Sequence, residues 1–272
     1  MAQAKNIVTI VEARVASNGL PGKVMKPVLG RPLLERVLQR VCRARLVGTV
    51  VVATTVYAED DVIAQLCWKL GVSCYRGDAA DVLDRHYRAA VKYGAEVVVK
   101  IGADCPLIDP DVIDAVIGSY VARPDAYDYV SNLHPPSFPE GNGVEVIRMS
   151  ALEKAWREAW RRHEREKTTP YFWNNSHQFR LHNVVWEKVA NATPAPRWRV
   201  EGPEELQLVQ AVYGALYRHN PHFGLEDVLA LLEREPQIAA LGASGAGLNG
   251  HEPGGTPSGL PAPAFQGDVS NA

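Results

Sequence analysis

The order of segments along the chain predicts an α/β protein, with a mostly parallel sheet, helices on both faces, and a small α+β insertion in the second half. Three observations carry this expectation. NIVTIVEA (6–13), GTVVVATT (48–55) and EVVVKI (96–101) are near-continuous apolar runs rich in β-branched residues, as in strands covered on both faces. The stretches between and after them carry apolar residues at helical spacing. Strand-like and helix-like segments alternate, the order that builds parallel βαβ units.

Taken in order, residues 6–13 form the first strand. PLLERVLQRVCRAR (32–45) places Leu34, Val37, Leu38 and Val41 on one helical face with arginines opposite. After the 48–55 strand, DDVIAQLCWKL (60–70) repeats the helical period, and VSCYRG (72–77) is a short strand. DVLDRHYRAAVKYG (81–94) is a helix stopped by Gly94, with Asp81 spaced to meet Arg85 and Asp84 to meet Arg88. After the 96–101 strand, PDVIDAVIGSYV (110–121) is a helix with Pro110 in its first turn. YDYVSNL (127–133) and GVEVIR (143–148) read as strands around a Pro-rich loop. SALEKAWREAWRRHEREK (150–167) reads as an amphipathic helical stretch capped by Ser150, with Glu153 at capping-box spacing. QFRLHNVVW (178–186) is strand-like, and 203–217 and 225–233 are helices. The domain is expected to span 1–241; 242–272 lacks periodicity, is rich in Gly and Pro, and reads as a disordered tail.

Composition narrows the function classes. The chain has 272 residues, enough for a sizeable core, and its 46% hydrophobic and 22% charged content is that of a globular protein. A net charge of -2 supplies no global field for nucleic acid. No apolar run approaches the roughly 20 residues that span a bilayer, so no membrane insertion is expected. The opening MAQAKN leads directly into a strand, so a signal peptide is not expected and the expected location is cytoplasmic. The four cysteines form no CxxC, which fits reduced thiols. The eight histidines form neither HxH nor HExxH, and no GxSxG is present. Trp156, Trp160, Trp173, Trp186 and Trp198 read as core or subunit contacts rather than base-stacking platforms.

In an open parallel sheet, ligands sit beyond the carboxyl ends of the strands. The loop after the first strand, EARVASNGLPGK (12–23), combines Gly19, Pro21 and Gly22 with Arg14 and Lys23. Glycines let backbone N–H groups approach an anion, and the two cations suit a triphosphate. The same residues are compatible with a surface loop carrying two solvated cations, and the Walker A spacing is absent. In GADCPLIDPD (102–111), Asp104 lies just past a strand, where a carboxylate can hold Mg²⁺ against phosphates; Asp109 reads as a helix cap. Glu201 in WRVEGPEEL, before a helix, is either a second metal carboxylate or simply a favourable charge at a helix start. The Arg161, Arg162, Arg165 and Lys167 cluster, interleaved with Glu164 and Glu166, reads as a solvated face or a contact for an acidic substrate.

Together, EARVASNGLPGKVMKPVLGRPLLERV, VVVATT, DVLDRHY, ADCPLIDPDVID, FPEGNGVEV, EREKTTPY and RWRVEGPEELQLV resemble the cytidylyltransferases of spore coat polysaccharide biosynthesis protein F type. These are relatives of the CMP-ketodeoxyoctulosonate and CMP-sialate synthetases. The resemblance covers about residues 6–220, and LPGK and DCPLIDP are its most specific parts. It implies a Rossmann-like nucleotidyltransferase sheet, transfer of CMP from CTP to a sugar with release of pyrophosphate, Mg²⁺, and a homodimer. The segment 127–190 is then the expected sugar-side and dimerisation segment. The resemblance also implies residue roles. Arg14, Ser17, Gly22 and Lys23 would meet the phosphates, and backbone near Glu12 and Ala13 would seat the base. Arg85 would lie near the nucleotide, and Asp104 with Glu201 would hold the metal. Lys100, Glu145, Arg165 and Glu166 would fall on the sugar side. The chain departs from the family pattern at Glu12 (usually Gln), Gly19 (usually Arg), Lys100, Gly102 and Ala103 (usually Arg, Thr and Gly), Gly143 (usually Asp) and Glu201 (usually Asp). Two alternatives follow from these departures and from the fold. One is a homologue that binds nucleotide or a partner without transfer. The other is a glycosyltransferase, for which ADCPLID offers Asp104 alone in place of a DxD motif.

Overall fold

The structure, a computed structural model, describes residues 5–17, 19–187 and 197–243. Its centre is a seven-stranded sheet in which six strands point the same way. β1 (Ile7–Glu12), β4 (Thr49–Thr55), β5 (Ser73–Gly77) and β6 (Val97–Gly102) pair in parallel. β8 (Glu145–Arg148) pairs antiparallel with β6 and with β7 (Tyr129–Ser131), and β9 (Leu181–Asn183) lies parallel to β7 at the edge. The order across the sheet is β5-β4-β1-β6-β8-β7-β9. The chain therefore winds outward from β1 to one side and then crosses back to place β6 on the other. Such a reversal opens a crevice at the carboxyl ends of the two central strands. A small antiparallel pair, β2 (Pro27–Val28) and β3 (Arg31–Pro32), follows the first loop.

The β-branched runs form strands because both faces of the sheet are covered. Along β1, Val8 and Ile10 enter one core and Val11 the other. All three are fully buried, each contributing about 1.5–3 kcal/mol by leaving water. One face carries α1 (Leu33–Val41), α2 (Asp61–Leu70), α4 (Pro110–Ala122), α8 (Pro203–Leu216) and α9 (Leu225–Arg234). The other carries α3 (Val82–Lys92), α5 (Met149–Glu158) and α7 (Pro170–Asn174). The expected α/β architecture with helices on both faces is the observed one. Among the described residues no helix is long and apolar enough to cross a membrane.

Several local expectations are corrected. The 150–167 stretch is two helices: α5 ends at Glu158, and α6 (Arg162–Arg165) starts afresh. Arg165 donates to the Trp156 carbonyl at 2.7 Å, taking an acceptor that a continuous helix would have used internally. Ser150 caps nothing, because α5 begins directly at Met149 after β8. The expected Asp81–Arg85 pair does not form. Asp81 caps α3 by accepting from the Asp84 N–H at 2.8 Å and pairs with Arg165, while Arg85 turns to Glu12. Asp84 and Arg88 do pair, at 2.9 Å. Strand structure within 178–186 is limited to β9, and a helix not foreseen, α10 (Pro236–Ala243), packs on α8 and α9. Residues 242 and 243, placed in the tail by composition, belong to that helix; the rest of the expected tail lies outside the described residues.

Gly48 shows how closely the strands are joined. Its φ is +60°, and a Cβ there would sit 2.0 Å from the Ile7 carbonyl oxygen. Replacing Gly48 with Ala is therefore expected to destabilise the fold by about 2 kcal/mol or more. The measurement is the urea unfolding midpoint, which should fall at unchanged slope.

Candidate active site

The first loop leaves β1 and is held down by a residue the sequence reading did not single out. Buried Asp60 accepts the Val15 N–H at 2.7 Å through Oδ1, and the Thr55 N–H and hydroxyl through Oδ2. The Gly22 N–H donates to the Val15 carbonyl at 3.0 Å and closes the loop. Gly22 itself has φ +68°, the left-handed geometry that starts the single helical turn Lys23–Met25. That turn aims Lys23 inward, where its Nζ donates to Asp104 Oδ2 at 3.1 Å and to the Val200 carbonyl at 2.9 Å.

Asp104 stands just beyond β6. A Cβ on Gly102 would lie 2.6 Å from Asp104 Oδ1, so a side chain there would make the carboxylate shift from its present position. The third participant comes from the far end of the domain. Fully buried Trp198 anchors the 198–201 segment, and the Val200 N–H donates to the Asp104 carbonyl at 2.8 Å. Arg199 then reaches Asp104 Oδ2 with Nε at 3.0 Å and Glu201 Oε1 with Nη1 at 3.6 Å. Gly19 lies against the same segment: with φ +92°, its Cβ would be 2.6 Å from the Glu201 carbonyl oxygen. A side chain at this position is sterically excluded, which explains the absence of the arginine the family pattern places there. Burial pushes the Asp104 carboxyl up, but Arg199 and Lys23 outweigh it and hold the group below the usual carboxylate range. Arg199 is pushed down by burial and more than restored by Asp104.

A second charged group lies along the sheet. Lys100 on β6 is in register with Glu145 on β8, and the two form an ion pair. The Tyr129 hydroxyl donates to Glu145 at 2.6 Å. Burial disfavours both charges, yet each keeps the other ionised: Lys100 is raised and Glu145 lowered. Arg85 is completely buried, with one guanidinium nitrogen 3.3 Å from Glu12 and another on the Asp78 carbonyl. Burial lowers its pKa. The structure thus brings Lys23, Asp104 and Glu201 together, with Arg199 added, and separately pairs Glu12 with Arg85 and Lys100 with Glu145.

Other expected residues stand apart. Arg14 is exposed and makes no ion pair among the described residues, and Ser17 lies partly buried in the same loop. The Glu12 carbonyl accepts the Ala103 N–H at 3.1 Å and the Ala13 N–H donates to the Ala53 carbonyl at 3.0 Å, so these groups are engaged within the sheet. Arg165 is tied to Asp81, and Glu166 is exposed and paired with Arg162.

Asp104 and Glu201 already bracket one cation, the Arg199 guanidinium. Mg²⁺ takes one or two carboxylates and completes its shell with phosphate oxygens and water, so this donor set fits it. No cluster of three or more His, Cys, Asp or Glu suited to a metal occurs among the described residues. A sequence model of cytidylyltransferases matches residues 8–214. The chain belongs to the cytidylyltransferase family. Over 241 residues it is 27% identical to the spore coat polysaccharide biosynthesis protein SpsF of Bacillus subtilis, covering 86% of this chain and 97% of the relative. It is 40% identical over 121 residues to 3-deoxy-manno-octulosonate cytidylyltransferase of Geobacter sulfurreducens, covering 44% and 47%. A solved cytidylyltransferase from Leptospira borgpetersenii superposes with a TM-score of 0.81 at 26% identity, covering 86% of this chain and 97% of that one.

On α3, His86 is buried next to Arg85. Its Nδ1 lies 2.9 Å from the Val82 carbonyl and 3.1 Å from the Thr168 hydroxyl, and Nε2 has no partner among the described residues. Burial lowers its pKa to about 4 from an ordinary 6.5. The unfolded ring therefore takes up its proton first. The stability contributed by the neutral buried ring is full above pH 6.5 and declines as the pH falls toward 4, by up to about 1.4 kcal/mol per pH unit. His134 and His182, also lowered by burial, act in the same direction. Asp104 and Glu145 are lowered, so their contributions hold above the usual carboxylate range and fade only as the pH falls below it. Unfolding free energy measured in urea should fall between about pH 6.5 and 4.5, and His86→Gln should make that slope shallower.

Proposed function

We propose that this protein transfers CMP from CTP to a sugar, releasing pyrophosphate, for a surface or spore coat polysaccharide. The observation that carries the reading is the convergence of Lys23, Asp104 and Glu201 from three distant segments at the switch point of the sheet. Family membership and the likeness to SpsF and to the octulosonate enzyme support the nucleotide and the sugar class.

The chemistry is an in-line displacement. A sugar hydroxyl oxygen attacks the α-phosphorus and gives up its proton to water, the new O–P bond forms, and the bond from the α-phosphorus to the oxygen bridging to the β-phosphate breaks with pyrophosphate as leaving group. No covalent enzyme intermediate is required. Lys23, fixed by the Val200 carbonyl, presents a charge that needs no reorganisation when negative charge shifts to the leaving group. Arg14 is free to close on the phosphates from solvent, and the Gly22 turn admits them to the loop backbone. Asp104 and Glu201 would hold Mg²⁺, which when bound neutralises phosphate charge. Arg85 fixes the Glu12 carboxylate at the β1 end. The Lys100–Glu145 pair, with Tyr129 behind it, offers a donor and an acceptor to sugar hydroxyls. A homodimer through the 127–190 segment belongs to the same reading, and exposed Trp160 in that segment suits a subunit contact.

Thermal unfolding with CTP, ATP, GTP or UTP, each with and without Mg²⁺, tests the reading. A nucleotide at about 100 times its dissociation constant adds about 2.7 kcal/mol. A Mg²⁺-dependent rise in midpoint with CTP alone is expected; no rise with any nucleotide would favour a homologue that has lost transfer. Lys23→Ala should lower turnover by about 10²–10³-fold, read as pyrophosphate release, and unchanged turnover would remove its phosphate role.

A further inference from the structure

Arg199 lies between the two acidic side chains of the cleft. It is 3.0 Å from Asp104 and 3.6 Å from Glu201. Asp104 Oδ2 thus accepts from two cations at once, Lys23 and Arg199. The charges of Lys23 and Arg199 cancel those of Asp104 and Glu201, so the nucleotide-free cleft holds no net negative charge to draw a divalent cation. A metal held between both carboxylates competes with the cation they share.

Of the two cations, only Arg199 is placed to move. The Lys23 side chain is 13% exposed and tied to a backbone carbonyl; that of Arg199 is 46% exposed and, among the described residues, held by carboxylates alone. The backbone of Arg199 is fixed between buried Trp198 and the Val200 N–H bond to Asp104, so a turn of the side chain does not carry the segment with it. A guanidinium released beside a polyphosphate has a two-point partner at hand.

We propose that Arg199 is an exchanging counter-cation: it neutralises Asp104 and Glu201 while the cleft is free, and it passes to the nucleotide's phosphates when Mg²⁺ takes the two carboxylates. This rests on the reading of the cleft as a triphosphate site. It makes metal and nucleotide bind cooperatively, each removing an obstacle to the other.

The test uses the full chain and Mn²⁺ as the probe, with free Mn²⁺ followed by electron paramagnetic resonance, first without nucleotide. Wild type should bind Mn²⁺ weakly. Arg199→Ala should bind it about tenfold more tightly and, with Mg²⁺ present, bind nucleoside triphosphate about tenfold more weakly by calorimetry, within the usual range of coupling between sites. Arg199→Lys should fall between in both. Unchanged Mn²⁺ affinity in Arg199→Ala would overturn the counter-cation role. Tighter Mn²⁺ with unchanged nucleotide affinity would overturn the transfer to phosphate. All four triphosphates are titrated, so a preference for a base other than cytosine would overturn the CTP reading while leaving the Arg199 comparison intact. A wild type that binds none of them would overturn both the triphosphate site and the transfer.

Discussion

The Asp104 carboxylate is the point on which the cleft depends. It sits at the end of a central strand and receives Lys23 from the first loop and Arg199 from the segment before α8. The two partners are separated by most of the chain, and backbone bonds hold the same place: the Lys23 side chain donates to the Val200 carbonyl, and the Val200 N–H donates to the Asp104 carbonyl. Charge-assisted bonds in a mostly buried setting contribute more than exposed pairs and leave a large penalty if one partner is lost. The loop, the strand end and the late segment are therefore positioned together.

Around that point the chain makes steric room. Gly19 stands where a side chain would strike the Glu201 carbonyl, and Gly102 leaves space beside the Asp104 carboxylate. Their departures from the family pattern belong to one arrangement: the loop tip rests directly on the 201 backbone, and a cation enters the cleft from the opposite wall as Arg199. Losing an arginine at the loop tip thus does not leave the cleft short of positive charge.

The second group, Glu12–Arg85 and Lys100–Glu145, follows a different logic. Its members lie in or against the sheet, two of them fixed by cross-strand register, and each charge is compensated by a specific opposite. Such pairs cost desolvation and add little net stability, but they hold polar atoms at defined places. Arg85 Nε and His86 Nε2 have no partners among the described residues of this buried region.

The sequence by itself determined the α/β architecture, the strands β1, β4 and β6, and the positions of Lys23 and Asp104, because these depend on local period and on turn chemistry next to a strand end. It overran at 150–167, where helical periodicity continues but a tertiary bond from Arg165 to Trp156 ends the helix. It misread Asp81–Arg85, since correct spacing on one helix lost to partners across the fold. Asp60 and Arg199 were not legible: Asp60 sits in a helix-start sequence where an acid is ordinary, and Arg199 stands in the RWRVEGPEELQLV stretch, where nothing local pairs it with Asp104. Their roles arise only when segments distant in sequence are brought within hydrogen-bond reach. Which carboxylate meets which cation was decided by the tertiary structure, because local sequence sets where a charge lies on its element, while packing of the elements sets what stands 3 Å away.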